Sequence, residues 1–245
     1  QIFAFKKIEK IAKDMKIKQG MILAAGLGKR MRPITLKTPK PLIKIGNKNL
    51  LDRAIELLIN HGVDEIAINV HHLADQIKDF INKKKYKAKI IIFHEQNMLL
   101  DTGGGILNAT KTFRKPFVVV NPDTLWSNIY SSELSDLEDL YFQHKKSCLL
   151  LVNKNLSFDS SFNGDFNLQD GIVTRDNSNK LIFTGLQILD HSVFSSIKNK
   201  VFSMNDIWNN LIANNFLIGI ESNQKFYHLN TKEMHDKILS LDITD

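Results

Sequence analysis

A doubly wound α/β domain with a mostly parallel sheet is the fold this sequence predicts, and three observations predict it. Short, nearly continuous apolar runs such as "MILAA", "EIAINV", "KIIIF" and "FVVV" alternate with stretches of helical periodicity such as "LLDRAIELLIN" and "LADQIKDFI". Strands that are apolar throughout are covered on both faces, which is the mark of βαβ units. The first strand runs directly into a glycine turn, and ligands of such sheets gather at the carboxyl ends of the strands.

Each element follows from its local pattern. Ile2, Phe3, Phe5, Ile8, Ile11, Ala12 and Met15 recur at helical spacings, so residues 1–15 read as an amphipathic extension ahead of a single domain over 16–240. A strand is expected over 17–25, a helix over 50–62 closed by Gly62, a strand over 65–70, a helix over 73–81 and a strand over 89–93. The run "DTGG" precedes a helix beginning at Gly105, and the strand 116–120 stops at "NPD". A helix over 137–145 and a strand over 148–153 follow. Between 153 and 190 the rhythm changes to "GDFNL", "GIVTR" and "KLIFTGLQIL", separated by Asn, Ser and Gly, and this segment is expected to form a small antiparallel lobe. A helix near 205–214, a strand pair over 217–229 and a helix from Thr231 complete the chain.

Composition narrows the function classes. The chain has 245 residues, 43% of them hydrophobic and 24% charged, and no apolar run approaches the roughly 20 residues that span a bilayer. No apolar signal core with a cleavage site is evident at the N-terminus, so a cytoplasmic location is expected. The single cysteine, Cys148, sits in the apolar run "SCLLLV" and reads as a buried small hydrophobe. The net charge of +7 comes largely from "KKIEKIAKDMKIK" and "KKKYKAK", which lack the interleaved aromatics or reading helix of a nucleic-acid binder. Neither nucleic acid nor membrane is expected as a partner, and homo-oligomerisation is left open. A field of this sign draws in small polyanions such as nucleoside triphosphates.

The stretch "AAGLGKRMRP" at 24–33 is the most informative part of the chain. It is not a P-loop, which needs Lys followed by Ser or Thr after the last glycine, nor a dinucleotide fingerprint, which needs a third glycine where Lys29, Arg30 and Met31 stand. What remains is a turn whose N–H groups can face a phosphate, with cationic side chains directly behind it. Taken with "PKPLIKIGNKNLLDRAI", "DTGGG", "VVVNPD" and "FTG" in this order, it resembles the sugar-1-phosphate nucleotidyltransferase family over residues 16–240, and within it the branch of N-acetylmuramate-1-phosphate uridylyltransferase and the mannose-1-phosphate guanylyltransferases.

The resemblance implies a Rossmann-like nucleotidyltransferase fold and Mg²⁺-dependent attack of a sugar 1-phosphate on the α-phosphorus of a nucleoside triphosphate. UTP with N-acetylmuramate 1-phosphate is favoured, GTP with mannose or heptose 1-phosphate comes next, and a non-catalytic nucleotide sensor is the remaining alternative. Carried over by position, Ala24, Ala25, Gly26 and Gly28 lie along the nucleotide. Arg30 and Lys40 stabilise the negative charge that gathers on phosphorus. Gly103 and Gly104 approach the base, with Glu95 and Gln96 as polar neighbours. Asn121, Thr184 and Gly185 face the sugar, and the 153–190 lobe shapes that side. Asp123 presents a carboxylate to the metal. Pro122 stands where the family usually has glycine, which alters the local approach of the sugar phosphate.

One departure matters most. The family usually supplies a second metal-binding aspartate in a segment like "W-V-D-V-G-T", and here "FYHLNTKEM" puts His228 at that aspartate, Asn230 at the glycine and Thr231 at the threonine. An imidazole suits Mn²⁺ better than Mg²⁺. The open alternatives are Mn²⁺ held with His228, a metal held by Asp123 with phosphates and waters, lost catalysis, or a slipped register that brings in Glu221.

Overall fold

The structure is a computed structural model that describes residues 15–241 and 243. The extension expected over 1–15 lies, apart from Met15, outside the described residues. In chain order the strands are Gln19–Ala24 (β1), Lys44–Ile45 (β2), Lys48–Asn49 (β3), Glu65–Val70 (β4), Lys89–His94 (β5), Phe117–Val120 (β6), Ser147–Asn153 (β7), Asn167–Gln169 (β8), Ile172–Thr174 (β9), Leu181–Leu189 (β10) and Leu217–Ser222 (β11). The helices are Leu50–His61 (α1), Ala74–Lys84 (α2), Asp101–Thr110 (α3), Ser131–His144 (α4), Met204–Ala213 (α5) and Lys232–Leu239 (α6).

Nine strands form one sheet in the order β5-β4-β1-β6-β10-β7-β11-β9-β8, and β2 and β3 make a separate small hairpin. The β5, β4, β1 and β6 strands run parallel, with Ile22 opposite both Ile68 and Val120. Alternate side chains supply two cores. Ile22, Ile68, Val118 and Val120 pack with residues of α1, α2 and α4 on one face, while Met21, Ala67, Phe117 and Val119 pack with α3 and α5 on the other. Helices on both faces of a largely parallel sheet are the doubly wound arrangement expected from the apolar runs.

Local chemistry sets the element ends. The Asn49 side chain accepts from Asp52 N at 2.7 Å to cap α1, and Gly62 at φ 103° closes it in the left-handed region open to glycine. The antiparallel character expected of 153–190 is present, but its strands belong to the main sheet. β10 lies inside it, antiparallel to β6 and β7, and β8 and β9 form its edge. The physical reason is that β10 is apolar on both faces and so competes for a central position. Two boundaries also differ. α3 begins at Asp101, which takes Gly103–Gly105 into the helix, and of the strand pair expected over 217–229 only β11 is a strand, the rest making isolated bridges at Phe226 and His228.

Among the described residues no helix is long and apolar enough to cross a membrane. Cys148 is fully buried, and burial pushes its thiol pKa up, as expected of a packed hydrophobe rather than a nucleophile.

Candidate active site

A cavity of about 530 Å³ opens at the carboxyl ends of β1, β4, β5 and β6. Its lining includes Ala24, Ala25, Gly26, Gly28, Lys29, Arg30 and Lys40 from the segment after β1, and Asn121, Pro122 and Asp123 from the turn after β6. The size is that of an ordinary small-molecule site. Gly28 makes the sharp turn at φ 60°, its carbonyl accepting from Thr35 Oγ1 at 2.8 Å and from Met31 N at 2.9 Å. Those bonds fold the chain back so that Arg30 and Lys40 reach the same hollow.

Lys40 Nζ contacts Asp123 Oδ2 at 2.8 Å, and His228 Nε2 approaches the same oxygen at 3.2 Å. Burial opposes ionisation of Asp123, yet the Lys40 ammonium and then His228 hold its carboxyl well below the usual carboxylate range. The other oxygen, Asp123 Oδ1, is buried without a hydrogen-bond partner, and so are Asn121 Oδ1 and Asn230 Oδ1. Buried acceptors left without donors are costly, about 1–3 kcal/mol each, unless a ligand supplies what is missing. Among the described residues no three His, Cys, Asp or Glu side chains are grouped to hold a metal ion. The hard oxygens of Asp123, Asn121 and Asn230 are the unpartnered groups in the lining that suit a divalent cation.

Across β1 the wall is different. Ala24 N donates to Asn69 Oδ1 at 2.9 Å, Asn69 Nδ2 donates to Glu95 Oε1 at 2.7 Å, and Leu100 N donates to Glu95 Oε2 at 2.9 Å. Leu23, Leu99, Asp101 and Thr102 complete this side. β5 and β4 lie on one flank of β1 and β6 on the other, so the Asn69–Glu95 wall and the Lys40–Asp123 wall face each other over the carboxyl end of β1.

Arg30, Lys40, Asn121, Asp123, Ala24, Ala25, Gly26 and Gly28 therefore line one cavity, while other expected residues stand elsewhere. Gln96 is exposed and does not line the cavity, whereas its neighbour Glu95 does. Gly103 and Gly104 sit inside α3, where their N–H groups donate to Phe202 O at 3.0 and 3.1 Å, and a Cβ there would collide with Phe202 or the Lys200 carbonyl. Their small size serves a helix-to-loop contact. Thr184 and Gly185 stand behind the 121–124 turn: Asn121 N donates to Gly185 O at 2.8 Å, and Thr124 Oγ1 to Thr184 O at 2.5 Å. His228 is not among the lining residues and reaches the site only through Asp123. Glu221 is exposed on β11 and does not line the cavity.

Sequence reasoning missed Asn69, Asn230, Asp101 and Thr102. Asn69 carried a signal, being the polar residue next to the end of the apolar strand "EIAINV". Asn230 carried one only in standing where the family has glycine, and its orientation comes from Asp159, 71 residues away.

The model of the nucleotidyl transferase family matches residues 19–155, more than half of the chain. The chain belongs to the nucleotidyl transferase family. It is 28% identical to the N-acetylmuramate alpha-1-phosphate uridylyltransferase of Caulobacter vibrioides, covering 86% of this chain and 91% of that one. It is 34% identical to the protein of the same name from Neisseria meningitidis serogroup B over 74% of this chain and 78% of the relative. The mannose-1-phosphate guanyltransferase of Gibberella zeae is 35% identical, with 56% of this chain but only 37% of the relative aligned. Among solved structures, HddC from Yersinia pseudotuberculosis complexed with GMP-PN superposes with a TM-score of 0.72 at 23% identity, over 91% of this chain and 98% of that one. A likeness at that identity bears on the fold. The cavity of this nucleotidyl transferase family member lies at the carboxyl ends of its parallel strands, as the doubly wound topology requires.

Proposed function

We propose that the chain transfers a uridylyl group from UTP to N-acetylmuramate 1-phosphate and releases pyrophosphate. The general reaction, from a nucleoside triphosphate and a sugar 1-phosphate to a nucleotide sugar, is that of the family to which the chain belongs. The choice of this pair draws on the two relatives whose length the chain covers most fully among those described. The observation that carries the reading is the meeting of Arg30 and Lys40 with Asp123 in one cavity at the strand ends.

In this reading the triphosphate lies along Gly26–Arg30 and Lys40, and the base lodges on the Asn69–Glu95 wall, away from the cations. An oxygen of the sugar phosphate bonds to the α-phosphorus as the bond to the β-phosphate oxygen breaks, and pyrophosphate leaves. Lys40 and Arg30 stabilise the charge that develops on the nonbridging oxygens, and Lys40, which Asp123 holds in place beforehand, acts more on the transition state than on the ground state. Asp123 would hold Mg²⁺, or Mn²⁺ as the alternative, and the ion when bound neutralises phosphate charge. Asn121 and Pro122 border the place left for the sugar phosphate.

A second reading, guanylyl transfer to mannose or heptose 1-phosphate, is favoured by the resemblance to mannose-1-phosphate guanyltransferases. A panel of nucleoside triphosphates against amino-sugar and hexose 1-phosphates, followed by pyrophosphate release with Mg²⁺ and with Mn²⁺, decides between them. Release only with UTP and N-acetylmuramate 1-phosphate is the expected result. Release only with a GTP pair selects the second reading, and nucleotide binding with no release from any pair leaves a sensor.

A further inference from the structure

We propose that Asn230, through Oδ1, is the second protein oxygen donor to the divalent cation at Asp123, in the role that the sequence pattern assigns to His228. The inference rests on the nucleotidyl-transfer reading for the nature of the ion, and its argument comes from the orientation of three side chains. Leu229 N donates to Asp123 O at 2.7 Å, which ties the 228–230 segment to the turn after β6 and brings Asn230 into the lining of the cavity. Asn230 is 7% exposed, and its Nδ2 donates to Asp159 Oδ2 at 3.0 Å. Asp159 is itself fixed, its Oδ1 accepting from Ser161 N at 2.9 Å and from Ser161 Oγ at 2.6 Å.

A carboxylate can only accept, so it dictates which end of the amide faces it. Turning the Asn230 amide over would set oxygen against oxygen. Oδ1 is thereby left at the other end, buried and without a partner, like Asp123 Oδ1 and Asn121 Oδ1 in the lining of the same cavity. Carboxylate and amide oxygens are the donors that a hard dication takes.

His228 is placed for a different task. It does not line the cavity: its Nε2 is engaged with Asp123 Oδ2, its Nδ1 is buried without a partner, and its ring stacks on Phe226 at a centroid distance of 5.9 Å and meets the edge of Phe162 at 5.4 Å. Together with Lys40 it holds one carboxylate oxygen and leaves the other for the ion, which makes it a positioning residue. The Asn at the family's glycine position thus restores an oxygen donor that the His at the aspartate position removed.

The test measures cation binding directly, without turnover. Mn²⁺ binding is followed by loss of the free-ion EPR signal, and Mg²⁺ by competition, in the presence of a non-hydrolysable nucleoside triphosphate, for the wild type, Asn230→Ala, Asn230→Asp and His228→Phe. Asn230→Ala should weaken both ions about tenfold or more, as losses around metal sites commonly do, and Asn230→Asp, which keeps an oxygen donor but sets it against the Asp159 carboxylate, should fall between the alanine variant and the wild type. His228→Phe, which removes a support of Asp123 and not an oxygen donor, should cost less than Asn230→Ala. Thermal unfolding without metal controls for folding, and Asn230→Ser replaces the alanine variant if that one unfolds. Wild-type affinity in Asn230→Ala, or a larger loss in His228→Phe than in Asn230→Ala, overturns the assignment. Failure of the transfer reading would appear separately, as absent pyrophosphate release by a wild type that binds nucleotide.

Discussion

Two trios of lysine, carboxylate and histidine among the described residues, one around Glu138 and one around Asp123, differ in one respect that separates structure from chemistry. In the core, Glu138 is fully buried, its Oε1 accepting from Lys16 Nζ at 2.9 Å while Oε2 accepts from Ile17 N at 2.8 Å and meets His61 Nε2 at 2.9 Å. In the cavity, Lys40 and His228 both approach Asp123 Oδ2, and Oδ1 has no partner. Both carboxyls are held below their ordinary pKa against the opposing effect of burial. The first trio closes on itself and secures the start of β1 to α4. The second keeps lone pairs in reserve, which only an incoming ligand or ion can use.

The largest expected effect breaks the open trio. Asp123→Ala should lower turnover by about 10³, at the upper end of the losses for removing one aimed electrostatic group, while the unfolding midpoint in urea moves little, because Lys40 retains access to cavity water. A destabilised Asp123→Ala protein with wild-type turnover would make the two trios equivalent. Glu138→Ala should do the reverse: stability falls by about 3 kcal/mol, the low end for breaking a buried pair because Lys16 is 54% exposed and screened, and kcat in the folded protein stays unchanged. Chemical denaturation and steady-state kinetics on the same samples distinguish these outcomes.

Glycines allow a similar contrast at smaller scale. Gly104→Ala drives a Cβ into the Lys200 carbonyl and should cost about 2 kcal/mol, typical of overpacking. A Cβ at Gly26 meets nothing within 4 Å, so Gly26→Ala should alter stability by less than about 0.5 kcal/mol yet weaken nucleotide binding measured by calorimetry. Equal stability losses at both positions would show that the two glycine segments serve the same purpose.

The smallest effect concerns pH. Glu138 is depressed in the folded state, so its stabilising contribution is fully present above the unfolded value of 4.5 and is lost as pH falls through the lower folded value. Stability measured by urea unfolding should therefore decline with acidification below about pH 4.5, and Glu138→Gln should flatten that slope. An unchanged slope would assign the acid sensitivity to other carboxylates.

The sequence by itself determined the doubly wound fold, the side of the sheet on which ligands bind, and the cationic turn with Arg30, Lys40 and Asp123. These rest on local properties, namely the periodicity of apolar residues and the small or charged residues at strand ends, which are written within a few positions of one another. Only the tertiary structure decided that β10 enters the main sheet, that Gly103 and Gly104 pack against the 200–202 loop, and that Asn69 and Glu95 build the far wall. It likewise decided which carboxylate oxygen stays open. Lys40 lies 83 residues from Asp123, and Asp159 lies 71 residues from the Asn230 amide it orients. Hydrogen-bond satisfaction is a property of atoms brought together from distant parts of the chain, so whether a polar group is closed or available follows from the folded contacts and not from its neighbours in sequence.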